Sequence, residues 1–130
     1  MNEICCLYHV AGGQTAPKPI VVDVDDLEKV RELINCDCID IVQRKIGTRA
    51  YNIICDDEAL LKQGPIMSTF NFKTFQPDIF GNVLICSGEI NGDELVSLTA
   101  EEFAELQMFS NFYVTVKDKR FSTIIVEAGD

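Results

Sequence analysis

Tyr51 to Lys62 reads YNIICDDEALLK, an apolar β run that stops at three consecutive acids and resumes as Leu60-Leu61-Lys62. Three adjacent carboxylates cannot be buried without a metal or several cationic partners, so a strand ending in Asp56-Asp57-Glu58 is expected to leave the core there. The ordinary reading is a solvated strand-to-turn exit, with Asp56 capping a helical turn through Leu61. It marks a fold without naming a reaction.

On the N-terminal side, Ile39–Ile46 and Tyr51–Cys55 are β-rich runs separated by Gly47-Thr48-Arg49, which predicts an antiparallel hairpin. Before it, Leu27, Val30, Leu33 and Ile34 fall at helical spacing, with Asp25 as the expected N-cap and Glu28 completing a capping box. Ile4–Val10 and Pro19–Val24 read as strands around a Gly12-Gly13 turn, and Pro17 and Pro19 place the second run at a sheet edge.

On the C-terminal side, QGPIMSTFNFKTFQPDIF keeps no strict period and reads as a loop or irregular strand. Gly81–Gly88, GNVLICSG, has the compact apolar character of a central strand buried on both faces. Thr99 then caps a second helix, with Glu102 reaching back from N3 and Phe103 and Leu106 as its apolar stripe. Phe112–Val116 and Phe121–Val126 pair across Lys117-Asp118-Lys119-Arg120. With no repeat or linker, the expectation is a single α+β domain over residues 1–130. Its antiparallel or mixed sheet of about six strands carries two helices packed on it.

Eleven Lys and Arg against twenty-one Asp and Glu give a net charge of −10. That field repels phosphate backbones and anionic membranes and attracts basic protein surfaces, so no direct nucleic-acid or membrane binding is expected. No apolar run reaches the ~18 residues a membrane helix needs, and MNEICCLYHV has an acid where a secretory signal is basic, so the expected location is the cytoplasm. Cys5, Cys6, Cys36, Cys38, Cys55 and Cys86 are expected to be thiols there.

Catalytic constellations are not apparent. Asp56, Asp57 and Glu58 are contiguous, whereas a calcium loop alternates its ligands around a glycine. Neither Cys5-Cys6 nor Cys36-Asp37-Cys38 has zinc-ligand spacing, and His9, the only histidine, sits in an apolar strand with no neighbour to orient it. No phosphate-binding glycine motif occurs. No metal or cofactor is therefore expected, and no catalytic residue is assigned. What remains is a set of binding candidates. Arg44, Lys45 and Arg49 cluster around the first hairpin, where they could hold an anion or protect an edge strand. Asp56, Asp57 and Glu58 form the acidic turn. Phe70, Phe72 and Phe75 either anchor a partner or fold onto the core, and Met108 and Phe109 raise the same question at the end of the second helix.

Taken in order, four landmarks resemble the domain-of-unknown-function family numbered 3846. They are Glu32-Leu33-Ile34 leading into Cys38–Val42, then Tyr51–Lys62, then Phe80–Ile85, and Ser97–Glu102. The resemblance covers roughly residues 25–107 and leaves 110–130 as an added C-terminal hairpin. The chain departs from the family after Lys62, where Gly64-Pro65-Ile66-Met67-Ser68 replaces a Gly-Leu-Pro run closing on an Asn-Arg pair. The family resemblance implies an origin in bacteriophages or Firmicute mobile elements, whose small accessory proteins commonly block host defence. The leading expectation is a non-enzymatic protein that binds and inhibits a host protein with a basic surface. One alternative is a sponge for a nucleotide signal of cyclic or ADP-ribose type, with Arg44, Lys45 or Arg49 on the phosphates, Phe72 on the base, and a homo-oligomer to build the pocket. The other is a carboxylate-dependent enzyme.

Overall fold

The computed structural model describes residues 2–12, 16–62, 66–110 and 112–128. Its elements in chain order are β1 (Glu3–His9), β2 (Lys18–Asp23), α1 (Leu27–Ile34), β3 (Ile39–Ile46) and β4 (Arg49–Asp56). A single 3-10 turn, Ala59–Leu61, then leads to β5 (Thr69–Asn71), β6 (Gln76–Pro77), β7 (Val83–Ser87), β8 (Ile90–Asn91) and β9 (Glu94–Leu95). The chain finishes with α2 (Ala100–Met108), β10 (Phe112–Val116) and β11 (Lys119–Ala128).

Nine strands form one sheet in the order β2-β1-β7-β4-β3-β11-β5-β6, with β10 pairing off β11, while β8 and β9 make a separate ribbon. All its strand pairs are antiparallel except β5 with β11, so the sheet is mixed. The expectation of about six strands is thereby corrected, since strand takes 50% of the described residues against 17% for helix and makes this a large sheet with two helices on it. The surplus is β5, β6, β8 and β9, which are two or three residues long and leave no periodic signal in sequence.

β4 and β7 lie side by side near the middle, and all five residues of β7 are buried, as a strand covered on both faces requires. Tyr51, Ile53, Val83 and Ile85 point to one face, where they pack with Leu98 and Leu106 from the α2 region and Ile124 and Val126 from β11. Ile54, Leu84 and Cys86 point to the other, against Val30 and Ile34 of α1. Each buried aliphatic side chain contributes about 1.5–3 kcal/mol, so each face depends on its cover. Ile124 and Val126 are almost fully buried, which builds β11 into the core and leaves β10 as the outlying half of the terminal hairpin. The sheet is also curled: three strands lie between β1 and β11 in the order, yet His9 Nε2 lies 3.0 Å from the Ser122 carbonyl oxygen.

Local signals fixed most helix ends. Thr99 and Glu102 form the reciprocal capping box expected for α2. The α1 cap, however, is Asp26, whose Oδ1 accepts from the Lys29 amide at 3.2 Å. The Asp25 amide donates to Asp23 Oδ1 at 3.0 Å, which keeps Asp25 in the preceding turn and moves the cap one residue on.

Glu105 ties the β3–β4 turn to α2. Its carboxylate accepts from the Thr48 amide (2.9 Å) and hydroxyl (2.5 Å), the Tyr51 hydroxyl (2.8 Å) and Arg49 Nη1 (3.3 Å). Burial alone raises its pKa, but these donors outweigh burial and bring it down to about 2. The turn closes over that carboxylate so tightly that a Cβ on Gly47, which sits at φ +67, would lie 2.8 Å from both Glu105 Oε2 and Phe109 Cε2.

Glu105→Gln is expected to lower unfolding free energy by about 2 kcal/mol at neutral pH in denaturant titrations, because hydrogen bonds to a charged group are lost. With the folded pKa brought down to about 2 from the ordinary 4.5, Glu105 stabilises fully above pH 4.5 and loses that contribution as pH falls toward 2. The variant's stability should accordingly flatten in this window. His9 acts higher. Its pKa is lowered by burial more than the Ser122 carbonyl raises it, so the unfolded state takes up the proton first. Stability should fall as pH drops below about 6.5, and a pH series of thermal melts on His9→Gln should remove that slope.

Candidate functional site

The stretch that keeps no sequence period folds into the β5–β6 hairpin at the far edge of the sheet. β5 is held by parallel pairing of Thr69, Phe70 and Asn71 with Ile124, Ile125 and Val126. All three of its residues are buried, because β11 carries them against the core. Asn71 Oδ1 then accepts from the amides of Lys73 (2.9 Å) and Thr74 (3.3 Å), which sets the turn. Phe75 is forced to φ +58, a left-handed conformation that costs a bulky residue about 1–3 kcal/mol.

This geometry divides the three phenylalanines. Phe70 is buried at 6% exposure, whereas Phe72 and Phe75 stand out at 64% and 73%. Phe75 meets Phe70 edge-on at 5.2 Å between centroids and Phe72 at 6.4 Å. The outer pair is thus seated on a core residue, and neither expected alternative holds for all three: one ring folds inward and two remain outside. At the end of α2, Met108 is exposed while Phe109 packs partly on the core.

The basic candidates are not brought together as an anion site. Arg44 makes a forked contact with Asp78, Nε to Oδ2 at 2.8 Å and Nη2 to Oδ1 at 3.3 Å. Lys45 pairs with Glu127 at 3.9 Å from the next position of β3. Arg49 opens β4 just past the turn and is held between Glu101 (3.5 Å) and Glu105 (3.3 Å). Each cation is already matched by a carboxylate, which removes the support that a phosphate-binding reading drew from them.

The acidic turn is also divided. Asp56 stays inside, its side chain 2% exposed, with Oδ2 2.6 Å from Lys62 Nζ and Oδ1 accepting the Glu58 amide at 2.9 Å. The expectation that the strand leaves the core at Asp56 is corrected by one residue, because Lys62 supplies the cation that the buried carboxylate needs. Lys62 also donates to the Asn35 carbonyl at 2.6 Å and so fastens the 3-10 turn to the end of α1. Asp57 and Glu58 are exposed. Glu58 raises the pKa of the exposed Cys38 thiol by hydrogen bonding and by charge, which suppresses its thiolate.

A shallow groove of ≈ 170 Å³ beside β3 and β4 brings Arg44, Asp56 and Asp57 together with Asp78. A second cleft of ≈ 480 Å³ is lined by Arg49, Thr99, Glu101 and Glu102. The buried polar groups of both are already bonded: Arg44 to Asp78 and Asp56 to Lys62 in the first, while in the second Glu102 accepts from the Ser87 hydroxyl and the Thr99 amide, each at 2.9 Å. Among the described residues, no group of three His, Cys, Asp or Glu side chains could hold a metal. His9 is fully buried and its Nδ1 has no partner, so it has no route to a substrate. Two residues that organise these surfaces, Asp78 and Glu105, carry no sequence signal, since an isolated acid in a loop or on a helix looks the same whether it is paired or solvated.

Lys62→Met should destabilise by about 2–3 kcal/mol in urea titrations by leaving Asp56 buried and unpaired. Adding Asp56→Asn should recover part of that loss, which a double-mutant cycle reads as coupling.

Residues 7–111 match the family described as Domain of unknown function (DUF3846). No curated protein and no solved structure matches the chain.

Proposed function

We propose that this chain, which belongs to the DUF3846 family of domains of unknown function, is a non-enzymatic accessory protein of bacteriophage or mobile-element origin. It binds and inhibits a host protein in the bacterial cytoplasm. The target class is a component of a defence system, and the contact surface is an apolar pocket within a basic face. No described helix is long and apolar enough to cross a membrane.

One observation carries this reading: Phe72 and Phe75 are exposed on a turn whose shape is set by Asn71 and whose base is the buried Phe70. Two rings held outside the core, one by a strained backbone, leave most of their apolar surface in water. They are well suited as anchors, because their conformational entropy is already spent before binding. Aromatic anchors of this type are commonly worth about 2 kcal/mol or more at an interface. The net charge of −10 favours encounter with a basic surface and makes the association rate fall with salt.

The Phe72→Ser/Phe75→Ser double variant should keep the wild-type melting temperature within a few degrees while losing binding by a factor of about 30 or more. The readout is recovery of a single host protein from lysate at near-equal stoichiometry, followed by a direct titration with that protein. Absence of any partner at low and physiological salt, or multiple turnover of a substrate, would overturn the reading.

A further inference from the structure

Cys6 on β1 and Cys86 on β7 are both fully buried, on the face of the sheet that α1 covers. The register sets them directly opposite one another. β1 and β7 run antiparallel with Leu7 against Ile85, Tyr8 against Leu84 and His9 against Val83, so one further step brings Cys6 against Cys86. Both are free thiols, and they lie within hydrogen-bonding reach of each other.

The backbone decides what kind of pair this is. The Cys5 amide donates to Ser97 Oγ at 2.9 Å and its carbonyl accepts from the Leu98 amide at 3.0 Å, while the Ser87 amide donates to the Val96 carbonyl at 3.2 Å. β2 and β4 occupy the outer sides of the two strands. Cys5, Leu7 and His9 therefore turn their polar backbone groups toward β7, and Val83, Ile85 and Ser87 turn theirs toward β1. That leaves Cys6 and Cys86 as a non-hydrogen-bonded pair, in which facing Cα atoms stand about 4.5 Å apart and side chains are at their closest. A disulfide spans about 4.4–6.8 Å between Cα atoms, so the pair falls within its range. The other cysteines are placed differently. Cys5 alternates to the opposite face, Cys55 belongs to the core of that face, and Cys36 packs only at the margin of the α1 side.

We infer that Cys6 and Cys86 are a dithiol that closes to a cross-strand disulfide on meeting a disulfide oxidant such as glutathione disulfide, and so staples the N-terminal strand to the centre of the sheet. One cysteine thiolate attacks a sulfur of the oxidant, which forms a mixed disulfide and releases one glutathione thiolate. The second cysteine thiolate attacks the protein-side sulfur of that mixed disulfide, which forms the Cys6–Cys86 bond and releases the second glutathione thiolate. The two thiol protons pass to the two departing thiolates, and two electrons pass from the dithiol to glutathione disulfide. The contact with Cys86, and then burial, push the Cys6 thiol up, so it stays protonated while the strands are closed. Exchange therefore waits for β1 to part from β7, to which three residues pair it. In a reducing compartment the pair remains as thiols, and the staple adds to the fold only under oxidation.

The test uses the full chain carrying Cys5→Ser/Cys36→Ser/Cys38→Ser, which removes the thiols that are not fully buried and leaves Cys6, Cys55 and Cys86. Held with excess glutathione disulfide in sub-denaturing urea, the protein should lose the mass of two hydrogens. Peptide mapping without reductant should show residues 6 and 86 joined, with Cys55 still open to alkylation after unfolding. The melting temperature of the oxidised form should rise by about 10 °C, the scale expected for closing a loop of about 80 residues. Dithiothreitol applied to the unfolded chain should reverse the shift. Cys86→Ala should abolish both the mass loss and the shift. Because the linkage is read on the intact pair, the result stands even where that variant does not fold. The inference fails if oxidation leaves Cys6 and Cys86 unjoined, if Cys55 enters the linkage, or if the bond forms only after full unfolding. It also fails if the bond lowers the melting temperature, which would mark the two cysteines as packing residues in a geometry that a disulfide does not fit.

Discussion

The burial of β4 and β7 on both faces is the constraint on which the rest of this structure depends. A strand pair without a solvent face needs two covers, and a chain of 130 residues has few elements to supply them. α1 covers one face through Val30 and Ile34. On the other face α2 alone is insufficient, and the sheet curls until β11 lies over it with Ile124 and Val126 buried. Closure from that side gives β5 a strand to pair with, and β5 in turn sets the aromatic turn. The surface that offers itself for binding is thus a consequence of how the core is closed.

Electrostatics sorts the remaining surface. With acids in nearly two-fold excess, most cations in the body of the protein find carboxylates, often at points where two elements meet. Arg44 joins β3 to Asp78, Lys62 joins Asp56 to the end of α1, and Arg49 joins β4 to α2. Partly exposed pairs of this kind add modestly to stability but fix orientation well when they are forked or share a buried partner. Two chemistries escape the matching. One is apolar, the Phe72–Phe75 pair. The other is cationic, and besides Lys18 and Arg31, which have no carboxylate partner among the described residues, it is concentrated at the Lys117–Arg120 tip. They lie on different hairpins, one parallel-paired to the body and one projecting from it, and can serve different contacts.

Much of the architecture was legible because short-range rules governed it. The Thr99–Glu102 capping box needs only residues three apart, and the β3–β4 hairpin needs only a turn between two β-rich runs. β7 announced itself by being apolar at every position. The acidic turn was half legible: carboxylates at that density imply a departure from the core. Which of them departs was decided by Lys62, which the fold brings back onto Asp56. The short strands β5, β6, β8 and β9 left no periodic trace, and the α1 cap moved by one residue because Asp23, two positions earlier at the end of β2, captured the Asp25 amide.

By itself, then, the amino-acid order determined which segments become helices and long strands, where they begin and end to within a residue or two, and that the surface would be strongly acidic. These depend on neighbours a few positions apart, whose interactions do not change with the fold around them. Tertiary structure decided which of Phe70, Phe72 and Phe75 turned inward, which carboxylate met each cation, and which strand edge was left open. Those outcomes depend on partners such as Asn71 with Val126, Arg44 with Asp78 and Thr48 with Glu105, between 34 and 57 residues apart in the two bonded pairs. Only the closing of the sheet brings them within reach.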